Sequence, residues 1–169
     1  MSQSKYQYRV AVITSSDKGY SKERVDTSGP AIIEIVQKNN YRVTDYVILP
    51  DEQKLLAEKM MKLADEDICD LILTTGGTGC SPRDVTPEAT KEVIEKEIPG
   101  IAEAIRSYSL TITKRAMLGR GIAGIRKRTL IVNLPGSEKA VRESLTYIMD
   151  TLEHGLAVLR GENGDCGRS

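Results

Sequence analysis

Residues 71–84 read LILTTGGTGCSPRD, a short apolar run that turns abruptly into a glycine-rich segment. An uninterrupted apolar run of this kind is typical of a strand buried on both faces of a parallel sheet. The glycines that follow, Gly76, Gly77 and Gly79, allow positive φ angles and a close approach of the backbone to a ligand. The stretch therefore predicts a central strand that ends in a ligand-binding loop. We call residues 76–84 the glycine-rich loop.

Side chains in and beside this loop suit a nucleotide phosphate. Thr75 and Thr78 offer hydroxyl donors, and Arg83 offers a planar fork of donors that matches phosphate oxygens. Asp84 differs from these, because a carboxylate repels phosphate unless a cation lies between them. The spacing fits neither a P-loop nor a dinucleotide fingerprint. We interpret the loop as a phosphate site with a metal-holding acid; the alternative is a strand-to-loop turn without a ligand.

The composition argues against several classes of partner. The 24 basic and 24 acidic residues balance, so no overall field favours nucleic acid or an acidic membrane. The absence of Trp and Phe argues against the aromatic stacking platforms of single-strand binders. Three cysteines without metal-ligand spacing, together with an amino terminus that lacks an apolar targeting core, favour a cytoplasmic protein.

Apolar patterns along the chain alternate between strand and helix. The predicted strands cover residues 8–14, 41–49, 70–75 and 129–133, with a short one near Ile122 and Ile125. Stripes at helical spacing follow Ser28, Asp51, Thr86, Pro99 and Ser137. Such alternation predicts an α/β fold, a three-layer α/β/α sandwich with a mostly parallel central sheet. We expect one domain over residues 1–160 and a flexible tail over residues 161–169.

Ligands of such sheets lie beyond the carboxyl ends of the strands. This rule brings together the loops that follow Thr14, Leu49, Thr75 and Asn133. Each of these loops carries polar or glycine residues. A single site built from four loops is therefore predicted at one edge of the sheet.

The same four loops carry a resemblance to a known family. Residues 74–90 read TTGGTGCSPRDVTPEAT, and they are accompanied in order by SD at 16–17, DTSGP at 26–30, PDE at 50–52 and NLPGS at 133–137. Together these segments resemble the molybdopterin adenylyltransferase family, which includes MogA, MoaB and related domains of gephyrin. The resemblance covers about residues 8–160.

This resemblance implies a Mg²⁺-dependent transfer of AMP from ATP to molybdopterin, with release of pyrophosphate. It implies that Asp51 and Asp84 are catalytic and hold the Mg²⁺. It assigns the nucleotide phosphates to Thr75, Gly76, Gly77, Thr78, Gly79 and Arg83. It assigns the substrate to Ser16, Asp17, Ser28, Gly29, Pro135, Gly136 and Ser137. It further implies a homotrimer or hexamer, and a transient contact with a molybdenum-insertion protein.

Simpler interpretations stay open for several of these residues. Asp51 and Ser28 also suit helix N-caps, and a cap uses only one carboxylate oxygen. Arg83 also suits a surface charge, and Asp84 its ion-pair partner. For the whole chain, the alternatives are a catalytically silent MoaB-like molybdopterin-binding or scaffolding protein, and a different nucleotide-dependent enzyme like the related domain of competence-damage proteins. His154, the only histidine, is expected to be structural.

Overall fold

The computed structural model describes residues 7–162, in which six strands form one sheet with helices on both faces. Cys166 and the predicted tail beyond residue 162 lie outside the described residues. The strands are β1 Arg9–Ser15, β2 Arg42–Leu49, β3 Leu71–Thr75, β4 Lys96–Glu97, β5 Ala123–Arg126 and β6 Thr129–Leu134. The α-helices are α1 Asp17–Tyr20, α2 Ser28–Lys38, α3 Gln53–Asp65, α4 Thr86–Val93, α5 Pro99–Leu110 and α6 Glu138–Arg160, and a 3-10 helix spans Lys114–Leu118.

The sheet has the order β2-β1-β3-β6-β5-β4. Strands β2, β1, β3 and β6 are parallel, whereas β5 and β4 run antiparallel to their neighbours. The register aligns the strand ends, since Thr14 is opposite Thr75 and Thr75 is opposite Leu134. The predicted mostly parallel sheet is therefore confirmed, and its carboxyl edge collects the loops after β1, β2, β3 and β6.

Two apolar layers cover the sheet. Helices α2, α5 and α6 pack on one face, where Val12, Leu73 and Val132 point from the strands. Helices α3 and α4 pack on the other face, over Ile13, Ile72 and Ile131. Alternate residues of the central strands thus face opposite layers, and both sets are fully buried because helices cover both sides. The three-layer prediction is confirmed.

Local details depart from the sequence prediction at a few points. Strand β4 was not predicted, because two residues are too few to show a periodic pattern. Ser137 does cap α6 by accepting a hydrogen bond from the amide of Ala140. Thr86, after which a helix was predicted, is itself the first residue of α4, and its hydroxyl donates to the carbonyl of Gly76. Within residues 7–162 no helix has the length and apolar character needed to cross a membrane.

Candidate active site

Three side-chain hydrogen bonds join the loops at the carboxyl edge of the sheet. Thr75 donates to the carbonyl of Pro135 at 2.6 Å, and Ser28 donates to the carbonyl of Gly136 at 2.7 Å. Ser15, the last residue of β1, donates to Oδ1 of Asp51 at 2.6 Å. The strand ends bring these residues side by side although they are far apart in the chain. The predicted gathering of four loops is therefore present in the fold.

The glycine-rich loop begins with two positions whose backbone conformation requires glycine. Gly76 and Gly77 have φ angles of 89° and 69°, in the left-handed region that side chains disfavour. A methyl group on Gly76 would collide with the carbonyl oxygen of Ser15, and one on Gly77 with the hydroxyl of Thr86. The loop thus turns back tightly against β1 and α4.

A polar cleft of about 490 Å³ opens on the β1 side of this loop. The residues predicted for phosphate or substrate that line it are Ser16, Ser28, Thr75, Gly76, Gly136 and Ser137. Arg24, Asp26 and Glu138 add charged groups to the same walls. The cleft therefore offers hydroxyls, loop backbone and one arginine, a surface suited to a phosphorylated ligand.

A second, apolar cavity of about 320 Å³ opens on the other side of the loop. It contains three predicted site residues, Thr78, Gly79 and Pro135. Its remaining walls come from α5, the 3-10 helix with its flanking residues, β6 and α6, and they include Ile105, Ile112, Ala116 and Leu118. Sequence reasoning missed these walls, because their apolar residues read as ordinary helix faces.

Asp51 is a junction between two loops and does not cap α3. The residue at the N-cap position is Glu52, and it makes no side-chain cap hydrogen bond. The carboxylate of Asp51 accepts from the Ser15 hydroxyl through Oδ1, and from the amide of Asp17 through Oδ2 at 3.0 Å. The amide of Asp51 in turn donates to Asp17 at 3.0 Å. The cap interpretation of Asp51 is therefore wrong.

Arg83 forms a two-pronged ion pair with Asp17. Its Nε and Nη2 atoms each lie 2.9 Å from a carboxylate oxygen of that residue. This contact is the main reason that the pKa of Asp17 is held below its ordinary value, with the hydrogen bond from the Asp51 amide adding to it. Arg83 is therefore paired with Asp17 rather than with Asp84. A phosphate at this point would meet a guanidinium with two of its five N–H groups engaged.

Asp84 closes the far end of the glycine-rich loop. Its Oδ2 atom accepts from the amide of Ser81 at 2.9 Å, and its own amide donates back to the Ser81 carbonyl at 2.9 Å. Among residues 7–162, no donor is bonded to its Oδ1 atom. Asp84 is half-buried, so one carboxylate oxygen remains available to a ligand.

Asp26 organises the start of α2, where Ser28 was a candidate N-cap. Its Oδ1 atom accepts from the amides of Ser28 and Gly29 at 3.1 and 3.2 Å. Its Oδ2 atom accepts from Thr14 at 2.8 Å and from the hydroxyl of Tyr46. Burial, and secondly this bond to Asp26, raise the pKa of Tyr46. The first amides of α2 are thus already bonded to the Asp26 carboxylate. The hydroxyl of Ser28 instead donates a hydrogen bond to the carbonyl of Gly136 in the neighbouring loop.

The donor chemistry of the two acids fits Mg²⁺ only with help from a substrate. Within the described part of the chain there is no group of three or more His, Cys, Asp or Glu residues arranged to hold a metal ion. Mg²⁺ commonly takes one or two protein carboxylates and completes its shell with water and substrate phosphates. Asp84 has an unbonded oxygen, and each oxygen of Asp51 accepts only one hydrogen bond. Each of the two acids therefore has carboxylate oxygen available for a cation that a nucleotide would bring with it.

Arg120 is a further residue of the site that sequence reasoning missed. Its side chain and its amide contact the glycine-rich loop at Thr78, Gly79 and Asp84. Residues 119–128 appear only as a glycine-rich basic segment in the sequence, so nothing local distinguishes this arginine from its neighbours. Only the packing of the segment against the loop identifies it.

The sequence of this chain is similar to those of known proteins. The profile of a family described as "Probable molybdopterin binding domain" matches residues 11–154. A protein named molybdopterin adenylyltransferase from Helicobacter pylori strain J99 is 40% identical over 154 residues, which cover 90% of this chain and 88% of that protein.

Solved structures agree with the sequence comparison. The molybdopterin biosynthesis enzyme MoaB from Thermus thermophilus is 46% identical, with a TM-score of 0.87 over 92% of this chain and 98% of that chain. The tungsten cofactor synthesizing protein MoaB from Pyrococcus furiosus is 36% identical, with a TM-score of 0.82 over 90% of this chain and 97% of the other. Both similarities extend over nearly all of the described fold.

Proposed function

Because this chain belongs to the family of probable molybdopterin binding domains, we propose that it transfers the adenylyl group of ATP to molybdopterin. One observation carries the proposal beyond family membership. The glycine-rich loop lies between a polar cleft and an apolar cavity, and the half-buried acid Asp84 at its end keeps an open carboxylate oxygen. This arrangement suits two substrates that meet at a phosphate.

In the proposed reaction, an oxygen of the terminal phosphate of molybdopterin attacks the α-phosphorus of ATP. A new P–O bond forms, the bond from the α-phosphorus to the bridging oxygen breaks, and pyrophosphate leaves with the electron pair. Such a transfer depends on alignment and neutralised charge and needs no protein nucleophile. The position of His154 is consistent with this chemistry, since it is an exposed residue of α6 and lines neither the cleft nor the apolar cavity.

The chain's own residues have separate roles in this proposal. Thr75 and the backbone of the glycine-rich loop bind the nucleotide phosphates, and the hydroxyls of Ser16, Ser28 and Ser137 bind the molybdopterin phosphate in the polar cleft. Asp51 and Asp84 would hold Mg²⁺, which supplies neutralisation of the phosphate charge when it is bound. The apolar cavity suits a flat heterocycle, which both substrates carry.

Self-association is part of the same proposal. The apolar residues Leu110, Ile112, Met117 and Leu118 are 42–63% exposed and follow one another along α5 and the 3-10 helix. Large apolar side chains exposed at four of nine successive positions favour an interface, and we propose a homotrimer or a hexamer in the cytoplasm that passes its product to a metal-insertion protein. Light scattering at micromolar concentration tests the assembly. A stable monomer would contradict it, since interfaces of standard size persist at that concentration.

Turnover is tested by incubating the purified protein with molybdopterin, MgCl₂ and ATP. We expect pyrophosphate and adenylylated molybdopterin to appear together in equal amounts. The matched control is the Asp84→Asn protein, which keeps the shape of the loop. If the wild-type protein forms no product above a reaction without protein, yet retains molybdopterin, the chain is a silent binding protein and the proposal is wrong.

A further inference from the structure

We propose that Arg120 is a positioning residue that holds the glycine-rich loop, and through it Asp84, in the geometry required for catalysis; this inference rests on the proposed function. Arg120 lies outside all the segments that carry the family resemblance, just before β5. Its side chain is about one-third exposed.

Arg120 contacts the glycine-rich loop at its middle and at its far end. Its amide donates to the carbonyl of Thr78 at 2.9 Å, and its Nε donates to the carbonyl of Gly79 at 2.7 Å. Its Nη2 atom donates to the carbonyl of Asp84 at 2.8 Å. One residue therefore links the middle of the loop to the acid at its end. A glycine-rich segment needs such external contacts, because its backbone loses much conformational entropy when it is ordered.

The remaining contacts of Arg120 fix the orientation of its guanidinium group. Glu88, in the first turn of α4, is paired with its Nη1 atom, and the other Glu88 oxygen lies 3.5 Å from Nη2. The pairing lowers the pKa of Glu88 and raises that of Arg120, so both groups stay charged at neutral pH. The first turn of α4 is thereby tied to the same loop.

The number of engaged N–H groups on Arg120 indicates a positioning role rather than substrate binding. A guanidinium has five N–H groups in a fixed plane. In Arg120, Gly79, Asp84 and the two oxygens of Glu88 occupy four of them. By contrast, Arg83 uses two for Asp17. Arg120 therefore has little capacity left for a phosphate, and its positive charge is already balanced by Glu88.

A matched control exists at the other end of β5. Arg126 forms a similar two-pronged pair with Asp65, at 2.8 and 2.9 Å, and donates to the carbonyl of Val93 at 3.1 Å. It thus ties the carboxyl end of α4, whereas Arg120 ties its amino end. Since Arg126 makes no contact with the glycine-rich loop, replacing it removes a comparable set of bonds away from the site.

The test compares Arg120→Lys with Arg126→Lys. Lysine keeps the charge but cannot reproduce a planar fork that meets several acceptors at once. In Arg120→Lys we expect backbone amides of residues 76–84 to exchange hydrogen at least about tenfold faster by mass spectrometry, since each lost bond frees the loop. In Arg126→Lys these amides should exchange at the wild-type rate. This measurement needs no turnover.

Kinetics supply the second measurement. We expect kcat of Arg120→Lys to fall about ten- to a hundredfold, because misplacing a catalytic group has effects of this size, while the KM for ATP changes less than about twofold. An increased KM with unchanged kcat would make Arg120 a phosphate ligand instead, and unchanged loop exchange would overturn the positioning role. If Arg120→Lys does not fold, Glu88→Gln must show the same changes to a smaller degree. An inactive wild-type protein would refute the proposed function alone, because the exchange comparison still stands.

Discussion

Acidic residues at the two edges of the same sheet are held in contrasting ways. At the amino edge, Asp70 is 2% exposed and accepts four hydrogen bonds, three from Arg9 and one from Arg160. At the carboxyl edge, Asp84 is half-buried and accepts one, and Asp51 accepts two. A saturated buried acid can only stabilise the fold, whereas an acid with open oxygens can bind a cation. The contrast between the edges thus separates structural acids from candidate catalytic ones.

Cysteine reactivity gives the largest expected difference between the edges. Cys69, beside Asp70, is fully buried, and burial raises its pKa to about 12; Cys80, in the glycine-rich loop, is exposed. We expect iodoacetamide at pH 8 to alkylate Cys80 at least about 10³-fold faster than Cys69. Cys69 reacts only after the surrounding structure opens, and this opening costs a large part of a typical unfolding free energy. Peptide mass spectrometry over time measures both rates. Similar rates would show that the amino edge is loosely packed.

Replacing the saturated acid should affect stability more than activity. Asp70→Asn removes the charge that two arginines share, and we expect a loss of about 3 kcal/mol, at the low end for buried pairs because both arginines retain contact with water. Urea denaturation measures the loss. Asp65→Asn is the control, since the Asp65 side chain is 35% exposed, against 3% for Asp70, and its pair with Arg126 should matter much less. Below the melting range, turnover of Asp70→Asn should stay close to that of the wild type.

Replacing the open acids should have the opposite effect. Asp51→Asn or Asp84→Asn keeps the shape of the side chain but removes a negative charge, so turnover should fall about 10²-fold or more while the thermal midpoint changes little. ATP affinity measured without metal should hold or improve, because a carboxylate that repels phosphate is gone. Steady-state kinetics and thermal melts measure these quantities. Wild-type turnover in Asp51→Asn would refute its role as a metal ligand.

Backbone geometry at the carboxyl edge gives an effect of intermediate size. Gly76→Ala should lower stability by about 1–3 kcal/mol, because φ is 89° and the new methyl group would meet the carbonyl of Ser15. Gly155→Ala is the control. It lies inside α6 with no atom near the added methyl, and we expect it to be neutral or to gain up to about 1 kcal/mol. Equal responses to the two changes would show that the loop is not strained.

The ion pair of Asp17 with Arg83 should give the smallest effect, and one that depends on pH. The pKa of Asp17 is lowered in the fold, so its contribution to stability is present above its ordinary value of 3.8 and is lost as the pH falls through the lower folded value. Asp17→Asn should therefore melt slightly below the wild type at pH 7, and the difference should shrink as the pH falls below 3.8. Salt should shrink the difference at pH 7, because the pair is about half exposed. A difference that does not depend on pH would assign the effect to the hydrogen bond of Asp17 with Asp51.

Local sequence predicted the elements of the fold and the sheet edge that carries the candidate site, because apolar periodicity and glycine content are local signals. The apolar run of residues 71–73 can only be buried from both sides, and the glycines that follow match the positive φ angles at Gly76 and Gly77. The three-layer fold follows from alternating strand and helix patterns, and the family similarity agrees with it. The site at the carboxyl edge follows from the general behaviour of parallel sheets.

The partners of charged side chains could not be predicted in the same way. A cap of α3 was an alternative interpretation of Asp51, but its carboxylate instead joins Ser15 and Asp17, 36 and 34 residues away. Asp26, rather than Ser28, holds the amides at the start of α2, because it is also fixed by Thr14 and Tyr46. In each case hydrogen-bond partners lie on another strand or loop.

By itself, the sequence determined the layers, the strand ends and the glycine-rich loop of this protein, because apolar periodicity and glycine conformation act over a few neighbouring residues. Only the tertiary structure decided which acids are saturated, that Arg83 meets Asp17, and that Arg120 holds the loop. The physical reason is that a hydrogen bond or ion pair depends on distance in space within about 3 Å. Chain separation says nothing about that distance until the sheet has brought its strand ends together.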